Sequence, residues 1–223
     1  MQLRAEILAG KTQEHLVSAG EFSGQLHARA VDAFIAIREA AYSEGIELCI
    51  ASSFRSFDRQ LFIWNSKVRG ERPIQNEQGD VIDIAQLTET ELMHAILRWS
   101  ALPGASRHHW GTDMDVYDGS ALEEGASPGL LVSEYQSGGP FKKLNDWMAA
   151  NISRFGFCRP YQQDTGGIAP EPWHLSYQLV ASELESQLNL PYLTELLVDS
   201  ELELKETVLQ HLEEIFERYI QIT

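Results

Sequence analysis

Apolar positions along this chain switch repeatedly between a helical spacing and the two-residue spacing of a strand. Between Gly24 and Glu44, Leu26, Ala30, Ala33, Phe34, Ile37 and Ala41 fall three and four apart. That pattern predicts one amphipathic helix of about twenty residues, ended by Gly45. The apolar run Ile46 to Ala51 reads as a short buried strand that delivers Ser52 to Arg55 at its end. Ser56 is placed to cap a helix over Phe57 to Val68, with Gly70 as its stop. Thr88-Glu89-Thr90-Glu91 is a capping box opening a helix to about Ser100, ended by Pro103 and Gly104. A strand starting near Thr112 would turn Asp113, Asp115 and Tyr117 to one side and Met114 and Val116 to the other. Phe141 to Phe155 reads as a helix with Leu144, Trp147 and Met148 inward. Strands follow at Phe157 and over Trp173 to Tyr177. Residues 69–87 and 118–139 are rich in polar and turn-forming types and read as loops beside these elements.

After Tyr177 the character changes. From Ala181 onward there are ten acidic residues against two basic ones. Leu204, Val208, Leu212, Ile215, Phe216 and Tyr219 keep helical spacing, so an amphipathic helix is expected, preceded by a shorter one near Tyr192 to Val198. The expected division is a domain over residues 1–180, its motif-bearing core at about 26–177, and an acidic helical appendix over 181–223. The appendix packs on the domain in one reading and forms a homodimer interface through its helices in the other.

The 223 residues suffice for one well-buried domain. A net charge of −16 argues against a nucleic-acid partner, which calls for a basic face. No stretch approaches the roughly 18 apolar residues of a membrane span. The N-terminal residues hold no apolar core of signal-peptide length, which points to a cytoplasmic location. Cys49 and Cys158 sit in apolar surroundings and read as two buried thiols, with a single bridge as the alternative.

Chemistry concentrates in Ser106 to Asp118, which holds two histidines and three acids within thirteen positions. A second run, Glu171-Pro172-Trp173-His174, adds one of each. A catalytic zinc site takes three protein ligands and leaves one position open for water, with a base close by. His108 in a loop and Asp115 on the strand leaving it would converge if Gly111 supplies the bend. His174, on a second strand, would be the third ligand. Glu171, held extended by Pro172, would lie beside the metal. His109 points away from its neighbour and lines the cleft or packs structurally. His94 reads as a surface residue, and His15, His27 and His211 read as solvated. Arg55 has a surface salt bridge as its ordinary reading. No serine or cysteine occupies a recognisable nucleophile motif.

Ser106-x-His108-x-x-Gly111-x-x-x-Asp115, followed by Glu171-x-Trp173-His174, resembles the zinc D-alanyl-D-alanine carboxypeptidases of the VanY type. These belong to the wider group that includes lysostaphin-type peptidases and the hedgehog signalling domain. Ser52-Ser53-Phe54-Arg55-Ser56-Phe57-Asp58-Arg59-Gln60 is similar to a third motif of that family, and the match runs from roughly Leu26 to Tyr177. Ser53 replaces a usual glycine, and Asp113 stands where a small alanine is common, which adds a carboxylate near the metal. The resemblance implies an α+β fold with a small, mostly antiparallel sheet carrying the site and helices flanking it. It implies one zinc per chain on His108, Asp115 and His174, with Glu171 as general base. Arg55, Gln60 and Ser106 would contact substrate, a cell-wall stem peptide ending in D-alanine. An L,D-carboxypeptidase or an endopeptidase would carry the same motifs. A zinc-containing binding module of the hedgehog kind is the alternative of another class, and the presence of Glu171 argues against it. The family's usual substrates lie outside the cytoplasmic membrane, which conflicts with the reading of the N-terminus.

Overall fold

In the computed structural model, residues 2–18, 24–76, 79–123 and 125–221 are described. Residues 77 and 78 of the loop expected over 69–87, and Glu124 of that over 118–139, lie outside them.

The chain opens with α1 (Gln2–Leu8) and a two-stranded antiparallel ribbon of β1 (Leu16–Ser18) and β2 (Gln25–His27). The helix expected from Gly24 therefore starts later, as α2 (Val31–Ser43). Leu26 is fully buried from a strand, and the His27 ring accepts from the Arg29 amide to start a 3₁₀ turn over Ala28–Ala30. Three-and-four spacing alone cannot tell this strand-and-turn lead from helix. Next come β3 (Leu48–Ser52), α3 (Phe57–Val68) and α4 (Glu89–Leu97). Ser56 caps α3 by accepting from the Arg59 amide, and Thr88 and Glu91 form the expected capping box of α4. Then follow β4 (Asp113–Asp118), α5 (Lys142–Asn151), β5 (Phe157–Cys158) and β6 (His174–Tyr177).

β3, β4, β6 and β5 form one antiparallel sheet in that spatial order, so the fold is α+β. Alternation along β4 sorts Asp113, Met114, Asp115 and Val116 as expected. Tyr117, expected on the aspartate side, packs instead toward the Met114 and Val116 core, with its ring 6.1 Å from that of Phe141. Met114 and Val116 join Leu175, Phe34 and Ile37 of α2, and Leu144 and Met148 of α5 in a core on one face of the sheet. The other face is left to Asp113, Asp115, His174 and Ser176.

The acidic segment is built into the second core rather than added to it. α6 (Gln178–Glu185) runs directly on from β6, so the boundary expected at residue 180 falls inside a helix. α7 (Leu190–Val198), α8 (Lys205–Gln210) and α9 (Leu212–Ile215) follow, with a π turn over Phe216–Ile220. The single long helix expected here is thus broken at His211. Val208, Leu212, Ile215, Phe216 and Tyr219 pack with Trp64 of α3 and Met93, Ile96 and Leu97 of α4. The apolar stripe that suggested a dimer interface is consumed inside the chain. Trp64 Nε1 donates to the Glu203 carbonyl at 3.0 Å and Asn65 Nδ2 to that of Glu201 at 2.8 Å.

Cys49 and Cys158 are free, half-buried thiols. His15 and His27 are not solvated as expected. Their rings meet at 5.4 Å beside Phe54, and burial, helped by His27, lowers His15 to about 4. His94 sits at the seam between α4 and the C-terminal helices, with Nδ1 3.0 Å from the Tyr219 hydroxyl. Among the described residues no helix is long and apolar enough to cross a membrane.

Ile215, fully buried in the shared core, tests whether the C-terminal helices are integral. Ile215→Ala should cost about 2–5 kcal/mol, the range for emptying a buried aliphatic site. Urea unfolding followed by tryptophan fluorescence measures it, and a loss below about 1 kcal/mol would mean that the segment is an independent appendage.

Candidate active site

The site is assembled at the centre of the sheet by strand register. β4 and β6 pair so that Asp115 lies directly opposite His174 and Asp113 opposite Ser176. His108 comes from a 3₁₀ turn over Arg107–Trp110 rather than from an irregular loop. Gly111 ends that turn at φ 67°, and a Cβ there would meet the His27 amide nitrogen at 2.9 Å. Both the left-handed backbone and the close approach require glycine.

His108 and His109 point apart, and each fixes a carbonyl of the Ser53–Arg55 loop. His108 Nδ1 donates to the Ser53 carbonyl at 2.8 Å, which leaves Nε2 as the lone-pair nitrogen. His109 is fully buried and structural. Its Nε2 accepts from the Gly104 amide at 3.0 Å, so Nδ1 carries the proton donated to the Arg55 carbonyl at 2.6 Å. Burial holds His109 neutral, lowered to about 3.

Asp113 takes a different place from the one its position suggested. It is fully buried and has four donors: Arg107 Nε at 2.8 Å and His174 Nε2 at 3.0 Å on Oδ1, Thr112 Oγ1 at 2.7 Å and Ser176 Oγ at 3.0 Å on Oδ2. Its lone pairs are committed, so it orients His174 instead of competing as a ligand. Burial alone would raise this carboxyl, but Arg107 and His174 hold it well below the usual carboxylate range. Arg107 is itself held by Glu185 of α6 at 3.0 Å, with its guanidinium 4.9 Å from the Trp110 ring.

With Nε2 of His174 spent on Asp113, its Nδ1 faces the site. Nδ1 lies 3.3 Å from Asp115 Oδ1 and 3.2 Å from Glu171 Oε2, while His108 Nε2 is 3.4 Å from Asp115 Oδ2. Asp115 Oδ1 and His174 Nδ1 are buried without a hydrogen-bond partner. Ligand atoms of His108, Asp115 and His174 all lie within 4.8 Å of one another. Buried acceptors converging on one point make a place for a cation, because leaving them unpaired costs several kcal/mol (about 1–3 each). Two nitrogen lone pairs and a carboxylate oxygen are a fitting donor set for a divalent metal. His174 shows the same demand: burial would lower it, yet Asp113, Asp115 and Glu171 raise it well above its ordinary value.

The cluster opens into a cleft of about 450 Å³. Arg55, Ser106 and Glu171 line it with the three candidate ligands. Arg55 is not a surface ion pair; it donates to Gln60 Oε1 at 2.9 Å and Ser52 Oγ at 3.1 Å. Gln60 does not reach the cleft as expected. It is fully buried, and its Nε2 donates to the Ala101 carbonyl at 2.7 Å, so it positions Arg55. A glutamine in the first turn of α3 faces the core with Phe57 and Trp64, a placement the motif spacing does not reveal. Tyr161, not singled out from the sequence, sets its ring edge-on to His174 at 4.9 Å.

Fold and site together define an α+β protein with a metal-capable His-Asp-His centre on its sheet and a glutamate beside it. The family model described as VanY, D-alanyl-D-alanine carboxypeptidase, matches residues 23–180. An uncharacterised protein of Haemophilus influenzae is 45% identical over 105 residues, 46% of this chain and 72% of that one. Among solved structures, the LD-carboxypeptidase LdcB is similar with a TM-score of 0.54 and 25% identity, over 86% of this chain and 88% of that one. A vancomycin resistance D,D-pentapeptidase VanY variant, solved with Zn(II), has a TM-score of 0.52 and 23% identity, over 80% and 93%. The chain belongs to the VanY D-alanyl-D-alanine carboxypeptidase family.

Two outcomes follow from these contacts. Asp113→Ala should weaken divalent-metal binding about 10–100-fold, read by chelator competition; unchanged affinity would reduce Asp113 to a packing role. His109 accepts a proton in the unfolded chain near its ordinary 6.5 but in the fold only near about 3. The unfolded state therefore binds more protons between those values, and stability should fall as pH drops through this window. The His109 contribution is at most about 1.4 kcal/mol per pH unit. Urea midpoints from pH 7 to 4 should show a shallower slope in His109→Asn, and equal slopes would refute the assignment.

Proposed function

We propose that this chain is a zinc-dependent carboxypeptidase that removes a C-terminal D-alanine from peptidoglycan stem peptides. The observation that carries the reading is the pair of unpartnered buried acceptors, Asp115 Oδ1 and His174 Nδ1, with Glu171 3.2 Å from the latter. His108, Asp115 and His174 would hold the zinc. When bound, zinc polarises the scissile carbonyl and lowers the pKa of a water to about 7.

Glu171 accepts a proton as the water oxygen attacks the carbonyl carbon. It returns that proton to the amine as the C–N bond breaks. Asp113 holds the His174 ring in the tautomer that presents Nδ1. Arg55 offers a planar fork to the terminal carboxylate, and Ser106 hydrogen-bonds the same end. Gln60 and Ser52 keep the Arg55 fork aimed, which lowers the entropy lost on binding. A binding module has no use for a carboxylate at the position of Glu171.

The likeness to LdcB supports a second reading, hydrolysis of a peptide ending in a single D-alanine. Both readings use the same residues, and substrate length separates them. Zinc-loaded protein given peptides ending in D-Ala-D-Ala or in one D-Ala, followed by mass spectrometry, should release D-alanine from at least one. Glu171→Gln should retain zinc and lose about 10²–10⁴ in turnover. Loss of the metal in that variant would make Glu171 a ligand. Full activity would place the base elsewhere.

A further inference from the structure

One wall of the cleft carries more positive charge than a single terminal carboxylate needs. Arg55, Lys67 and Arg72 all line it, in a chain whose net charge is −16. None of the three forms an ion pair with an acid among the described residues. Arg55 donates to Gln60 and Ser52. Lys67 Nζ donates to Ser100 Oγ at 2.6 Å, and the Arg72 guanidinium lies 5.6 Å from the Phe62 ring.

These cations burden one another. Burial, reinforced by Arg55 and Arg72 and opposed by Glu171, lowers Lys67 to about 8. Burial lowers Arg55 as well, opposed by Asp115 and Glu171 and reinforced by Arg59 and Arg72. Like charges gathered in a half-buried cavity without directly paired acids destabilise the free protein, and a bound anion removes part of that cost. Asp115 and Glu171 offset only part of that charge, since both also face the metal-capable cluster, and neither forms an ion pair with Arg55, Lys67 or Arg72.

A single carboxylate fits the Arg55 fork in bidentate fashion and leaves Lys67 and Arg72 unmatched. Lys67 projects from α3 and Arg72 from the segment just after it, so both are fixed relative to Arg55 by one helix. Successive residues of an extended peptide are at most about 3.6 Å apart along the chain. An acidic side chain next to the scissile bond would therefore reach cations in the same cavity.

We propose that Lys67 and Arg72 form an anion subsite beside Arg55. It selects peptide ends that carry a second carboxylate on the side chain of the residue before the terminal D-alanine. This rests on the carboxypeptidase reading above.

The test uses D-terminal peptides of one sequence in which the penultimate side chain bears a carboxylate or its carboxamide. kcat/KM is measured on the zinc-loaded full chain. Kd is measured by calorimetry on Glu171→Gln, which reads binding with or without turnover. The acid member should show a kcat/KM at least about tenfold higher and a Kd at least about tenfold lower than its amide, equivalent to about 1.4 kcal/mol. Lys67→Gln and Arg72→Gln should bring that ratio toward one, and Lys67→Arg should preserve it. Equal values for acid and amide in the parent would overturn the subsite while leaving the carboxypeptidase intact. A preference that survives both glutamine variants would overturn its assignment to these residues. Selective binding without any hydrolysis would support the subsite and sink the enzymatic reading.

Discussion

The buried contact between Asp113 and Arg107 is the constraint on which the site depends. Asp113 and Asp115 sit two apart on one strand, so the pleat turns both carboxylates to the same buried face. Two desolvated negative charges at that spacing would not stay ionised without compensation. Arg107 neutralises Asp113, and Asp113 then fixes His174 by accepting the hydrogen bond from its Nε2–H. Only after that does His174 have a single lone pair to offer, and Asp115 is left with the charge that calls for a cation. Glu185 holds the far end of Arg107, so a helix of the acidic segment belongs to the same network. Breaking a buried pair from one side strands the other charge, typically at about 3–5 kcal/mol. The acidic segment is therefore tied to the site by electrostatics as well as by its apolar packing.

Much of this site could be read from sequence because its parts obey local rules. Alternation along β4 places Asp115 opposite in sense to Met114 and Val116, and Gly111 marks the left-handed turn between His108 and that strand. The caps at Ser56 and Thr88 are decided within four residues. What escaped depends on contacts between distant segments. Gln60 lies on the expected helix, yet whether it faces cleft or core depends on the Ala101 carbonyl, forty-one residues away. Arg107, adjacent to a ligand, looks like any loop arginine until β6 brings Ser176 and α6 brings Glu185. Asp113 appeared as an extra candidate ligand because only the three-dimensional count of its donors shows that its lone pairs are filled. The start of α2 was missed for a simpler reason: a buried strand followed by a 3₁₀ turn can mimic helical spacing over a few residues.

The C-terminal helices brace both sides of the cleft, although none of the motifs lies on them. Glu201 and Glu203 accept from α3, which fixes the helix that follows Arg55. Arg218 Nε donates to the Gly166 carbonyl at 2.6 Å, and Arg98 pairs with Asp164, which fastens the turn between Tyr161 and Glu171. Rigid support matters because a base and a guanidinium fork act only when held within a fraction of an ångström of the reacting groups.

The charge of the whole chain gives the cleft its character. With a net charge of −16, the average field repels an anionic peptide end, so general attraction cannot bring substrate in. Binding must instead come from a local inversion of sign, and Arg55, Lys67 and Arg72 supply it on one wall of the cleft. Salt screens the distant acidic surface over about 8–10 Å but screens half-buried groups much less. The repulsive background therefore fades with ionic strength while the cationic wall keeps its effect. A peptide end is then held by the few charges it touches, and the acidic exterior contributes solubility and discourages adhesion to other polyanions.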